Sequence, residues 1–202
     1  MANEEQLSIL KQGVEVWNKW RANNTYVMIK LSRADLTGAN LAGANLNFAD
    51  LSEADLRGTN LFCAELRSVN FMEGNLLEAN LSQADLRGTN FYFANLTKTD
   101  LTGTNLNEAS LTGATLIETN FLAAKIGFTM FAYLDLSHAK GLDEVNHSFP
   151  STIGTNTLQL SKGEIPDTFL KGCGLSDWEI EQAKLYDPDL SNEEITNIQY
   201  RL

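Results

Sequence analysis

From Leu31 to Leu136 every fifth residue is Leu, Phe or Ile, through 22 positions without a break. The exceptions to Leu are Phe71, Phe91, Phe121, Ile126 and Phe131. Two residues before each of these centres stands a small residue, Ala or Thr, except at Ile29, Val69, Gly74 and Leu134. One residue before the centre is Asn or Asp in most copies, and the two residues after it vary freely. A period of five matches neither the 3.6-residue helix nor the two-residue strand. A helix would scatter the leucines around its circumference, and a strand would alternate them between faces. The chain must therefore turn once per repeat and send the centre and the small residue inward. Asn and Asp favour such turning, because their side chains bond nearby backbone groups. Winding into a solenoid is what keeps all the leucines dry.

The pattern Ala-(Asp/Asn)-Leu-X-X resembles that of the pentapeptide-repeat family, and LSEADLRGTNL (51–61) and LSQADLRGTNF (81–91) lie close to its consensus. The resemblance implies an all-β solenoid, a right-handed quadrilateral parallel β-helix with four repeats per coil. For this chain that means about five coils, roughly 26 Å long at the strand spacing. Stepping by 20 residues then places Phe71 directly beneath Phe91 and puts both on one side with Phe131. The core is expected to contain Leu36, Leu56, Phe71, Leu76, Leu86, Phe91, Leu96 and Phe121.

A bare solenoid end would expose strand edges and a section through the core. Leu7, Leu10, Val14 and Trp17 fall at helical spacing, so residues 1–25 read as an N-terminal capping α-helix, over 4–22, laid on the first coil. The repeat region is 26–142, followed by a loop over 143–163 with one short strand near Thr157–Leu160. Residues 164–202 read as a C-terminal α-helical tail. Pro166 and Gly172 bracket one short helix, and Ser176 with Glu179 and Ser191 with Glu194 form capping boxes. This tail resembles a module that follows the repeats in cyanobacterial pentapeptide-repeat proteins, some of which continue into signalling or effector domains.

Nothing points to catalysis. His138 and His147 are the only histidines and have no ligand cluster of metal spacing around them. No nucleophile elbow or phosphate loop is present. No cofactor is expected, and the reading is non-enzymatic. Cys63 and Cys173 match no redox motif, and two free thiols without an apolar leader fit a cytoplasmic protein. No run is long enough to span a membrane.

The net charge of −11 argues against direct binding of nucleic acid or anionic membrane. It is unevenly spread. Residues 30–140 carry 12 acids and eight bases, whereas 141–202 carry 11 acids and four bases. Three roles remain open. The first is a protein–protein interaction scaffold, monomer or homodimer, whose partner surface is Met72, Tyr92, Phe93 and Tyr133, pointing outward on one side. The second, implied by the family resemblance, is mimicry of DNA toward DNA gyrase, which asks for a more negative rod than this one. The third is an adaptor that recruits a signalling partner through the tail.

Overall fold

Each residue of the five-residue unit has its own place in one hydrogen-bonding scheme, which repeats along the chain. The computed structural model describes all of residues 1–202. Leu51 N–H donates to Asn70 O, and Glu53 N–H to Met72 O, on the following coil. Asp55 N–H donates back to Ala34 O on the preceding coil. Ala54 N–H closes a turn onto Leu51 O. The remaining amide, Ser52 N–H, donates to the Asp50 carboxylate at 3.1 Å. All five backbone donors are thus satisfied. This is the physical reason for Asn or Asp before each centre: its side chain takes the one N–H that neither the turn nor the neighbouring coil can use. Where Glu65 replaces it, the Arg67 N–H goes instead to Asn47 Oδ1 of the preceding coil.

The second residue after each centre has positive φ at all 21 positions from Arg33 to Tyr133, and only six of these are Gly. That is the φ signature of a type II turn. Fifteen non-glycine residues held in this region are a standing cost, offset by the pairing around them.

Parallel bridges join residue i to i+20 in four columns. They begin with Lys30↔Asp50, Asp35↔Asp55, Asn40↔Asn60 and Asn45↔Glu65. The 20-residue return expected from the sequence is therefore present. The extended strands of an all-β solenoid are not. The pairing consists of isolated single-residue bridges, with only two two-residue strand pairs at the C-terminal end. A turn in every repeat leaves one residue free to pair per side, so no continuous sheet forms.

Inside, Leu36, Leu56, Phe71, Leu76, Leu86, Phe91, Leu96 and Phe121 are all buried. Phe71 and Phe91 stack with centroids 5.4 Å apart. The Thr variants of the small position are also explained, apart from Thr104, whose hydroxyl donates to Leu101 O of its own turn. Thr59, Thr89, Thr99, Thr119 and Thr129 are fully buried, and each hydroxyl donates to the carbonyl of a centre on the preceding coil.

The N-terminal cap differs from the single helix expected over 4–22. It is two helices, α1 (Glu4–Lys11) and α2 (Val14–Asn23). They are separated at Gly13, whose φ of 113° favours glycine. The break lets both helices cross the end of the stack, with Leu10 and Trp17 buried in its core. Side-chain amides replace the peptide groups of an absent coil. Gln6 accepts from Lys30 N–H and donates to Met28 O. Asn18 accepts from Asn45 N–H and donates to Gly43 O. Trp17 Nε1 donates to Asn45 O at 2.8 Å.

The segment 143–163 is also more than the expected loop. A 3₁₀ turn (Leu142–Glu144) leads into β3 (Asn146–His147) and β4 (Thr152–Ile153). These pair in parallel with β1 (Lys125–Ile126) and β2 (Met130–Phe131). It therefore continues the coil without the five-residue pattern, because a terminal row bonds to a neighbour on one edge only. The strand expected near Thr157–Leu160 is instead part of α3 (Thr155–Leu160), where Thr157 is turned inward and donates to Phe131 O.

The tail forms α4 (Asp167–Gly172), α5 (Asp177–Lys184) and α6 (Asn192–Arg201). Both capping boxes are formed. Phe169 of α4 is buried edge-on against Phe131, the last aromatic centre of the stack, at 5.4 Å.

Candidate interaction surface

The two freely varying residues of each repeat follow the centre, so they stand on the outside of the turn. Twenty-residue stacking aligns them in columns. The first two rows of one side, 30–33 and 50–53, carry Lys30, Arg33, Asp50 and Glu53, and its other four rows are 70–73, 90–93, 110–113 and 130–133. Across these last four rows the only charged residue is Glu73. Tyr92 and Phe93 meet edge to face, with centroids 4.5 Å apart, and are 41% and 55% exposed. The Phe93 ring lies over Gly113, where a Cβ would come within 2.8 Å of it. Gly113 thus leaves Phe93 room to lie along the column.

Tyr133, 67% exposed, lies one row beyond Gly113 in the Phe93 column, and its N–H donates to Asn156 Oδ1 of α3. Met72 is half-buried, one row before Tyr92. Of the four residues named from the sequence, the structure brings Tyr92 and Phe93 into contact. It places Met72 and Tyr133 in their columns on either side.

Another side with outward aromatics is different. Phe128 stacks on Phe149 at 4.9 Å, a contact supplied by the segment that follows the repeats. Its intervening rows carry charge. Arg67 and Arg87 both bond Asp85, at 2.6 and 2.8 Å, so the stacked arginines are bridged rather than repelled. Those hydrogen bonds, Arg87's first, hold the Asp85 carboxyl down at about 2. On a further side, Glu78, Lys98 and Glu118 stand in one column. Lys98 lies 3.6 Å from Glu78, while Glu118 bonds Lys140 at 3.1 Å, which keeps its carboxyl below the usual range.

The sequence reading missed Met130, exposed in the same row as Tyr133, and Phe149 as the partner of Phe128. Met130 occupies the position normally held by Asn or Asp, and that departure from the pattern was the available signal. Phe149 had none, because it lies outside the repeat.

No group of three or more His, Cys, Asp or Glu side chains is placed to hold a metal ion. Cys63 is exposed and Cys173 buried, and the two are not bonded to each other. Burial pushes the Cys173 thiol up to about 12, so it is no nucleophile at neutral pH. No helix is long and apolar enough to cross a membrane.

The sequence matches the family model "Pentapeptide repeats" over residues 29–62, 64–103 and 94–126, in eight copies. Similar solved structures include a pentapeptide repeat protein from the thylakoid lumen of Arabidopsis thaliana. It is 34% identical over 45% of this chain and 66% of that one, with a TM-score of 0.39. HetL, a pentapeptide repeat protein involved in heterocyst differentiation regulation in Nostoc sp. strain PCC 7120, is 26% identical. That match covers 63% of this chain and 65% of HetL, with a TM-score of 0.35. Rfr23 from Cyanothece 51142 is 25% identical over 69% of this chain and 95% of its own, with a TM-score of 0.31. The chain spans about two thirds of the length of the first two. No curated protein matches it.

Proposed function

Because its repeat region makes this chain a member of the pentapeptide-repeat family, we propose that it is a non-enzymatic protein-interaction scaffold. We take its coil to be the right-handed, four-sided one the family implies. The observation that carries the functional reading is the side bearing Tyr92 and Phe93, nearly free of charge over four rows on a chain whose net charge is −11. Exposed aromatics fixed on a rigid element lose little freedom on binding and make good anchors. The partner is a protein segment with aliphatic or aromatic side chains laid along the 70–133 rows, with Met72 and Tyr133 at the ends of the contact. Both ends of the stack are covered by helices, which favours a monomer. A reducing compartment such as the cytoplasm suits the exposed, unpaired Cys63.

DNA mimicry toward gyrase fits less well, since the repeat region carries only four net negative charges and an Arg67–Asp85–Arg87 bridge. The adaptor reading draws on the tail, whose nine acids against three bases make it the most acidic part of the chain.

The test is a pair of alanine substitutions, Tyr92→Ala with Phe93→Ala. A partner captured by the wild-type chain is identified, purified and titrated against both proteins. Scaffolding through this side predicts at least about a tenfold loss of affinity, the range of a binding hot spot. The melting curve stays unchanged, because both side chains lie outside the core. Equal affinity for the two proteins rejects the surface. Affinity lost only on removing 164–202 transfers the function to the tail.

A further inference from the structure

The seam between the repeat stack and the tail holds a titratable group that no function so far uses. His147 lies in β3, paired in register with Ile126 of β1. Its ring packs against Phe169 of α4 at 5.6 Å, and Phe169 in turn packs on Phe131. The ring also fills the space over Gly172, where a Cβ would come within 2.3 Å of it. Its Nδ1 is buried with no hydrogen-bond partner. One imidazole therefore touches the helix that joins the tail to the stack, and one of its nitrogens has no acceptor.

We infer that His147 is a pH-sensitive latch: neutral, it seats α4 on the end of the stack; protonated, it releases α4 and the tail helices packed on it. The neutral ring leaves Nδ1 as a bare lone pair, which buries at modest cost. Protonation puts a donor and a positive charge at that atom with nothing to receive them.

No ionised neighbour answers that charge. On α4, Asp167 is held by Lys184 at 2.9 Å and Lys171 by Asp177 at 3.0 Å. On β1 the charged group is Lys125, of the wrong sign. The Cys173 thiol, just past α4, stays neutral. Asp143 and Glu144 belong to the 3₁₀ turn that precedes β3 and packs on α4. Burial lowers the affinity of His147 for a proton, and a hydrogen bond to the Gly172 backbone opposes this less strongly. The sign follows. A histidine whose folded pKa lies below its unfolded value of about 6.5 stabilises the seam fully above that pH. That stabilisation drains away as pH falls below 6.5 and through the folded pKa.

Phe169, 1% exposed, and Phe131, fully buried, become accessible when the latch opens. The consequence is an apolar end of the stack presented only in acid.

The experiment is amide hydrogen exchange on the full chain at pH 7.5 and pH 5.0, expressed as protection factors so that intrinsic exchange cancels. Protection over 167–183 is expected to fall several-fold in acid while protection over 50–110 holds. His147→Gln is expected to abolish the difference, and His138→Gln, at an exposed site, to leave it intact. Equal protection at both pH values in the wild type overturns the proposal, as does an undiminished drop in His147→Gln. Should His147→Gln not fold, the carbon-bound imidazole proton resonances of the wild type decide. A His147 titration below 6.5 that coincides with the loss of protection supports the latch. A titration at or above 6.5 overturns it.

Discussion

The repeat stack and the C-terminal tail are built on opposite principles. In the stack, one arrangement of five residues is used again and again, and every buried side chain has near-equivalents one coil away. In the tail, each contact occurs once: Phe169 on Phe131, His147 over Gly172, Lys184 between Asp167 and Glu181. Charge follows the same division. The stack spreads a small excess of acid over many rows and pairs much of it between coils, as in Arg33–Glu53 and Glu78–Lys98. The tail concentrates acid on a few short helices. Repetition gives rigidity and a flat surface; single contacts give a part that can be released on its own.

The largest expected effect tests how far the stack behaves as a unit. Leu86 is fully buried in mid-stack. Leu86→Lys forfeits about 2 kcal/mol of apolar burial and places an unpaired charge in the core, a further several kcal/mol. The chain should lose cooperative folding and soluble expression. A well-folded Leu86→Lys protein would show that coils adjust independently, and would break the contrast.

Phe169→Ala should be confined to the tail. Truncating a buried Phe costs about 3–5 kcal/mol, enough to detach α4. Urea unfolding followed by circular dichroism should then split into two steps, an early loss of helix and a late loss of the stack at its original midpoint. A single transition displaced as a whole would mean that tail and stack are one cooperative unit.

The smallest effect is the most discriminating, because the same substitution is expected to change sign between the two regions. Ala123 has a φ of 55° and an exposed side chain. Ala123→Gly relieves a left-handed alanine, worth about 1 kcal/mol, and returns part of that as backbone entropy. The melting temperature should rise by about 1–2 °C. Ala183, buried within α5, should lose roughly 1 kcal/mol on the same change. If both fall, the left-handed position is not strained in the stack.

These particulars show how the chain could be read in advance. Leu86, Phe71 and Phe91 were legible as core because their spacing excludes both common periodic structures. The 20-residue return was implied by the resemblance to the pentapeptide-repeat family, and the stacking of Phe71 on Phe91 agrees with it. Ser176 and Ser191 were legible as helix starts because a capping box is a local device. The break at Gly13 was not, since one glycine in an otherwise helical pattern does not announce where the helix must bend across a core. Nor was the continuation of the coil through 146–153, which keeps the bridges and drops the pattern. On the surface, Tyr92 and Phe93 could be named from their position in the repeat, but whether any segment covered them depended on where the ends of the chain packed.

By itself, then, the sequence determined the turn in every repeat and the identity of the inward residues, because these arise from bonds and spacings within one repeat; the coil length came from the resemblance to the pentapeptide-repeat family. Only the tertiary structure decided three further things. It set which amides of α1 and α2 close the first coil, which aromatics stay uncovered, and which histidine is enclosed between the last coil and the tail. Each of these joins segments with no common period, and such contacts depend on shape and burial between surfaces that meet only once the chain has folded.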